Sequence, residues 1–371
     1  MTMAALVLFL GVSAGFLVWQ QMAQLQVAAP ISEPQVLEVS QGTPFIHIVR
    51  AMEDRGWVER GEWLRLYTRF NPELGALQAG YYEFKPGMSP VDMLTMMAAG
   101  KSKRWPIRFL EGWTFAQMRQ ELARHEQLQQ TLPGLSNEEV MQALGMDEDM
   151  HPEGWFFPDT YNYRAGQSDM SILRQAFNTM NRTLANEWEA RMEGLPYETP
   201  YEALIMASIV ERETGAPHER GEVAGVFVRR LDKGMRLQTD PTVIYGMGER
   251  YQGRITRSDL QEHTPWNTYR ISGLPPTPIA MPGQGAIHAA LNPEDGDTFY
   301  FVARGDGTHQ FSRTLAEHNR AVREFQLQRR SDYRSSPAPV TGPDPQSSEE
   351  EVAEEEPTAP ISDDREAQDN D

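Results

Sequence analysis

Two glutamates, Glu211 and Glu213, close an apolar run at residues 203–210 within YEALIMASIVERETG. The run predicts a helix driven into the interior, with Gly215 and Pro217 to stop it. Residues two apart on a helix point to nearly opposite sides, so at most one glutamate faces a given cleft. The last helical turn carries negative dipole charge, and a partly buried carboxylate there has its pKa raised, which suits a general acid. Taken alone, the ERE triplet is more commonly a solvated helix end. Behind it, RLQTDPTVIYG (residues 236–246) reads as a strand-like segment whose Asp240-Pro241 turn displays a second carboxylate. Gln238, Asp240 and Tyr245 are the side chains placed to line a groove there.

The elements that must position these groups occupy most of the 371 residues. Residues 3–19, MAALVLFLGVSAGFLVW, carry no charge, which predicts a transmembrane anchor over 1–22. The competing reading is a signal peptide, for which Val27-Ala28-Ala29 offers a weak cleavage site. No Lys or Arg precedes the segment and Arg50 is the first after it, so the terminal amine alone favours a cytoplasmic N-terminus. Residues 23–42 are expected to be a linker. A small module follows at 43–104, with helices over 45–55 and 59–70, a strand at 80–84, and a helix capped by Ser89 and Asp92.

From residue 105 to about 330 a larger mixed α+β region is expected. It has a strand at 106–110 and capping boxes at Thr114/Gln117, Ser136/Glu139 and Thr314/Glu317. HPEGWFFPDTYNY (151–163) is either an aromatic wall for pyranose rings or a packed loop core, with Asp159 and Tyr161 as its groove-facing members. Helices are expected over 169–193 and 220–230, and a hairpin is expected around the Arg304–Gly307 turn. Prolines 275, 276, 278 and 282 predict a preordered loop at 273–283, as a polymer-holding wall or plain scaffold. His309 and His318 read as structural. The tail at 331–371 holds 13 Asp and Glu against two Arg and is expected to be disordered.

Composition narrows the chemistry. Cysteine is absent, which removes disulfides and thiolate metal sites, and the eight histidines show no metal-ligand spacing. A net charge of −19 argues against nucleic acid as a partner. No metal and no cofactor is implied.

ASIVERET, LQTDPTVIYG, NTYRISGLPPTPIAMPG and EGWFFPDTYNY, in that setting, resemble the YceG-like family of endolytic murein transglycosylases. The likeness runs from about Leu37 to about Gln328. It implies an α+β protein with an N-terminal transmembrane helix, a small LysM-like module and a catalytic domain. It implies Glu213, next to Thr214, as the catalytic acid/base, with Glu211 as the fallback. Gln238, Asp240, Tyr245, Asn267, Tyr269 and Pro275 are the expected substrate-binding residues. The activity implied is lytic cleavage inside nascent peptidoglycan glycan strands, leaving 1,6-anhydro ends. The implied place is the bacterial inner membrane, with the catalytic domain in the periplasm beside penicillin-binding synthases. The residues alone also admit a muramidase-type hydrolase using Glu213 and Asp240, or a non-catalytic peptidoglycan-binding scaffold.

Overall fold

The computed structural model describes residues 2–147 and 149–327, so the acidic tail expected beyond Ser331 lies outside the described residues. The chain opens with α1 (Thr2–Gln24), of which residues 5–24 are long and apolar enough to cross a membrane and are nowhere buried. Such a helix is compatible with a membrane anchor.

Next comes a module built from β1 (Gln35–Val39), α2 (Phe45–Asp54), α3 (Gly61–Phe70), β2 (Gly80–Phe84) and α4 (Pro90–Ala98). β1 and β2 pair antiparallel, Gln35 opposite Phe84 and Val39 opposite Gly80. Leu37, Val39, Met52, Leu64, Tyr82, Phe84 and Met97 fill their own core. The stretch expected as a linker therefore differs from expectation. β1 lies within it, and Ala29 and Ile31 are buried in the module core. The physical reason is non-local, because the strand forms only by bonding to a partner some 45 residues later.

The larger region has β3 (Trp105–Arg108), α5 (Phe115–Ala123), α6 (Asn137–Leu144), β4 (Thr160–Tyr163), α7 (Asp169–Glu189), α8 (Pro200–Glu213) and α9 (Arg220–Asp232). It continues with α10 (Asp240–Met247), α11 (Arg257–Gln261), α12 (Gln284–Leu291), β5 (Tyr300–Ala303), β6 (His309–Ser312) and α13 (Leu315–Val322). β3–β4 and β5–β6 are antiparallel ribbons, so the architecture is mixed α+β with short sheets around a helical core. The capping boxes expected at Ser89, Thr114, Ser136 and Thr314 form. A further one, Thr199 with Glu202, starts α8.

α8 runs through the centre. Every residue from 203 to 210 is buried, which a helix apolar on all sides requires, and α7, α9, α10 and α12 surround it. Its one polar interior residue, Ser208, is fully satisfied. The Ser208 hydroxyl donates to Ile205 O (2.7 Å) and accepts the Ile279 N–H (3.0 Å). Ile279 belongs to the proline-rich loop, which lies against α8 as scaffold. Pro217 keeps Ala216 out of helical conformation, and Thr214 ends the helix extended, at φ −133° and ψ 130°.

Two further expectations are corrected. The segment at 236–246 contains no strand: residues 236–239 are irregular, with Gln238 at φ +53°. Asp240 and Pro241 form the first turn of α10, where the fixed φ of proline is already helical. Within HPEGWFFPDTYNY the packed-core reading holds: Trp155 stacks on Tyr201, and Tyr161 is buried with its hydroxyl donating to Phe157 O.

Gly154, in that motif, has φ +86°, and a Cβ there would sit 2.5 Å from Cγ of Pro278. Gly166 has a similar φ of +77° with open space around it. Gly154→Ala is expected to cost about 3 kcal/mol, combining backbone strain with overpacking against a rigid ring, and Gly166→Ala about 1 kcal/mol. Thermal or denaturant unfolding of the two variants checks this, and equal losses would be inconsistent with the close approach.

Candidate active site

The two carboxylates ending α8 meet opposite environments. The Glu211 carboxylate accepts from Arg220 Nη2 (3.2 Å) and from the Gly283 N–H (3.0 Å), and Arg220 also pairs with Glu111 (3.2 Å). Burial pushes its pKa up, while Arg220 and the Gly283 N–H pull it back. Glu211 thus fastens the end of α8 to the proline-rich loop and to α9.

Glu213 faces the other way, into a cleft of about 590 Å³. It meets a hydroxyl in place of a guanidinium: Thr239 donates to its Oε1. Burial pushes its pKa up to about 7. The Thr239 bond lowers it, the nearby Asp240 carboxylate raises it further, and Arg230 and Arg212 oppose that rise. A carboxyl group in this state holds its proton near neutral pH and can still give it up.

Thr239 is itself held firmly. Its N–H donates to Thr268 Oγ1 (3.0 Å), its carbonyl accepts from Thr242 Oγ1 (2.7 Å), and the Thr242 and Thr268 hydroxyls are 2.9 Å apart. All three threonines are buried. Across the cleft, Arg230 reaches in from α9, donating to Phe299 O (2.7 Å) and Leu237 O (2.7 Å) with its guanidinium over Tyr300. Deeper in the same cleft, Glu219 accepts from the His309 N–H (2.9 Å) and pairs with His309 Nδ1 (2.8 Å), so His309 lines the cleft as a buried, hydrogen-bonded residue. His318 also lines the cleft and stacks on Tyr300, but its Nδ1 is buried without a hydrogen-bond partner.

Of the expected binding residues, Gln238, Asp240 and Tyr269 line the cleft with Glu213. Gln238 is the one non-glycine residue at positive φ among those described (+53°), and its side chain is exposed. Asp240 is exposed at the N-terminus of α10, where negative charge is favoured, and accepts the Tyr269 hydroxyl at 2.6 Å. Asn267 and Pro275 are elsewhere, both buried. Asn267 donates to Asp259 O, Leu260 O and Glu262 O and accepts the Tyr269 N–H, so it shapes the turn that presents Tyr269. Tyr245 lies on the far side of α10 and donates to Glu153 Oε2 at 3.1 Å.

Reading the sequence missed Thr239, Arg230 and Tyr300. Thr239 was within reach, as the residue directly before the displayed carboxylate. Arg230 and Tyr300 come from distant elements and left no local signal.

A model of the YceG-like family matches residues 37–324. The chain is 28% identical over 307 residues to an endolytic murein transglycosylase of Bacillus subtilis, covering 78% of this chain and 84% of that one. It is 26% identical over 322 residues to an endolytic murein transglycosylase of Streptococcus pneumoniae, covering 77% of this chain and 57% of that longer one. The crystal structure of a YceG-like protein of Listeria monocytogenes resembles it with a TM-score of 0.51 at 29% identity. That likeness covers 78% of this chain and 98% of the other.

The environment of Glu213 has a stability consequence. Its folded pKa of about 7 lies above the ordinary 4.5, so the native state binds the proton more tightly between those values. Its contribution is therefore fully present below about pH 4.5 and is lost as pH rises through about 7. Glu213→Gln removes that loss. The variant should match the parent near pH 4.5 and exceed it by up to about 3 kcal/mol at pH 8. Denaturant unfolding across pH checks this, and a gain independent of pH would count against a neutral Glu213.

Proposed function

The chain belongs to the YceG-like family, and from that membership and the chemistry at Glu213 we propose that it is an endolytic peptidoglycan lytic transglycosylase. The observation that carries the reading is a single carboxyl group, held near neutrality at the end of a buried helix and opening into a cleft. The Glu213 carboxyl protonates the oxygen joining C1 of N-acetylmuramic acid to O4 of N-acetylglucosamine. The C1–O bond breaks and the 4-hydroxyl leaves. The Glu213 carboxylate then takes the proton from the muramic C6 hydroxyl as its oxygen closes on C1. The product is a 1,6-anhydro ring, the acid is regenerated, and no water is consumed.

The other cleft residues fit that path. Thr239 orients the Glu213 carboxyl. Asp240, steadied by Tyr269, places negative charge where the oxocarbenium-like transition state is positive. Gln238 offers an exposed amide to sugar hydroxyl or acetamido groups. We assign Asn267 and Pro275 supporting roles behind the groove. Asp240 in the same cleft is also what a muramidase-type hydrolase would use as its second carboxylate, and the nature of the product ends separates the two readings.

We infer further that the N-terminal module is LysM-like, on its strand–helix–helix–strand order. Two separate hydrophobic cores support a boundary near residue 105. An inner-membrane anchor at α1 with the rest of the chain in the periplasm suits a substrate made at that surface, beside penicillin-binding synthases.

The chain incubated with uncrosslinked glycan strands is expected to release ends lighter by one water than reducing ends, read by mass spectrometry. Reducing ends would instead establish the hydrolase. Glu213→Gln should lower cleavage by at least about a thousandfold, the scale on which acid catalysis works. Glu211→Gln should keep cleavage per folded molecule while losing about 2 kcal/mol of stability, because Arg220 is left with the more exposed Glu111 as its carboxylate partner. Retained cleavage by the Glu213 variant would overturn the assignment.

A further inference from the structure

A second cavity, about 660 Å³, opens on the other side of α10 from the Glu213 cleft. One turn of α10 separates the two: Asp240 lines the first, while Ile244 and Tyr245 line the second. The catalytic reading gives this second space no task. Its chemistry is mixed in a particular way. Phe115, Ile244, Trp266 and Ile279 supply apolar surface, and Arg119 and Arg212 supply two fixed positive charges, on a chain whose net charge is −19.

The charged and polar groups facing this space are readily placed. Arg119 is locked at the rim by Leu132 O (3.1 Å), Leu135 O (2.8 Å) and Asn137 Oδ1 (3.3 Å). Arg212 is exposed and donates to Gly112 O (3.1 Å) with one nitrogen of a fork that has five N–H donors. His151 accepts the Glu153 N–H through Nδ1. Glu153, 3% exposed, accepts the Phe115 N–H at 2.9 Å and is bonded to the Tyr245 hydroxyl. Burial pushes Glu153 up to about 8, so it is uncharged at neutral pH and does not repel an anion. Glu249 is the opposing carboxylate and is exposed.

We propose that this second cavity receives the carboxylate-bearing peptide branch carried by the muramic sugars of the strand being cut. The proposal rests on the transglycosylase reading. In that reading a muramic ring sits at Glu213, and its lactyl ether must send the peptide away from the ring into neighbouring space. Such a branch alternates methyl side chains with free carboxylates. The methyl groups match the apolar surface, and the carboxylates match the Arg212 guanidinium, which uses Nη1 on Gly112 O and keeps further N–H donors for a carboxylate, while Arg119 adds positive charge at the rim. Tyr245 then belongs to the substrate site after all, as part of the peptide wall and not of the sugar cleft.

The test compares glycan strands bearing their peptides with the same strands stripped of peptides by an amidase. The parent chain should show at least about tenfold higher kcat/KM on peptide-bearing strands, the worth of one charge-assisted contact. Because the Arg212 charge also reaches Glu213, the readout is the ratio between the two substrates and not the rate on either. Arg212→Gln should reduce that ratio towards one, and Arg212→Lys should restore part of it. A parent that cleaves both substrates equally, or an Arg212→Gln variant that keeps the parent's ratio, overturns the proposal. Cleavage of neither substrate would be a failure of the transglycosylase reading. In that event calorimetric binding of a soluble stem tetrapeptide decides the cavity's role. Binding that Arg212→Gln weakens upholds it, and no binding by the parent overturns it.

Discussion

α8 is apolar on every side and yet ends in two carboxylates, and much of the architecture around it settles where their charge goes. Glu211 is met by Arg220 and by the Gly283 N–H, which ties α9 and the proline-rich loop to one helix end. Glu213 receives only a threonine hydroxyl, so the cost of burying its charge remains and appears as affinity for a proton. The same helix thus makes one carboxylate a fastener and the next an acid. The helical repeat performs the sorting, since side chains two positions apart cannot share an environment.

The short helix α10 is the second organising piece. Its N-terminus faces the acid and its middle faces the Arg119–Arg212 cavity, so it forms a common wall. Buried hydroxyls of Thr239, Thr242 and Thr268 fix one end, and Tyr245 on buried Glu153 fixes the other side. A wall held by polar bonds at both faces resists the sub-ångström drift that would misplace a proton donor. Arg230 does the same from across the cleft, using backbone carbonyls from two segments.

Local chemistry was legible in the sequence. The capping residues Ser89, Thr114, Ser136 and Thr314 marked helix starts because a cap depends on side chains three positions apart. The opposition of Glu211 and Glu213 followed from helical geometry alone. What escaped depended on distant partners. β1 has no strand identity until β2 pairs with it. The strand-like reading of 236–246 gives way to α10, where the Asp240-Pro241 start is already helical and Thr242 and Val243 are buried against the core. α12, made of small residues beside a proline-rich loop, carried too little pattern to be seen. Asn267 and Tyr245 were expected among the substrate-binding residues, whereas the fold puts one in the turn that presents Tyr269 and the other on the wall of the next cavity.

The way α1 joins the rest of the molecule has one more consequence. Leu25, Ala29 and Ile31 follow it directly into the module core, and Ala29 and Leu25 bond through the backbone to Met88 and Val91. A loose tether of 20 residues would let its cargo wander by about 25 Å. Here there is no such slack. For a chain held in a bilayer by α1, the module is mounted on a post and not moored by a string. The packing of side chains, and not polymer statistics, then fixes how high above the lipid this module stands.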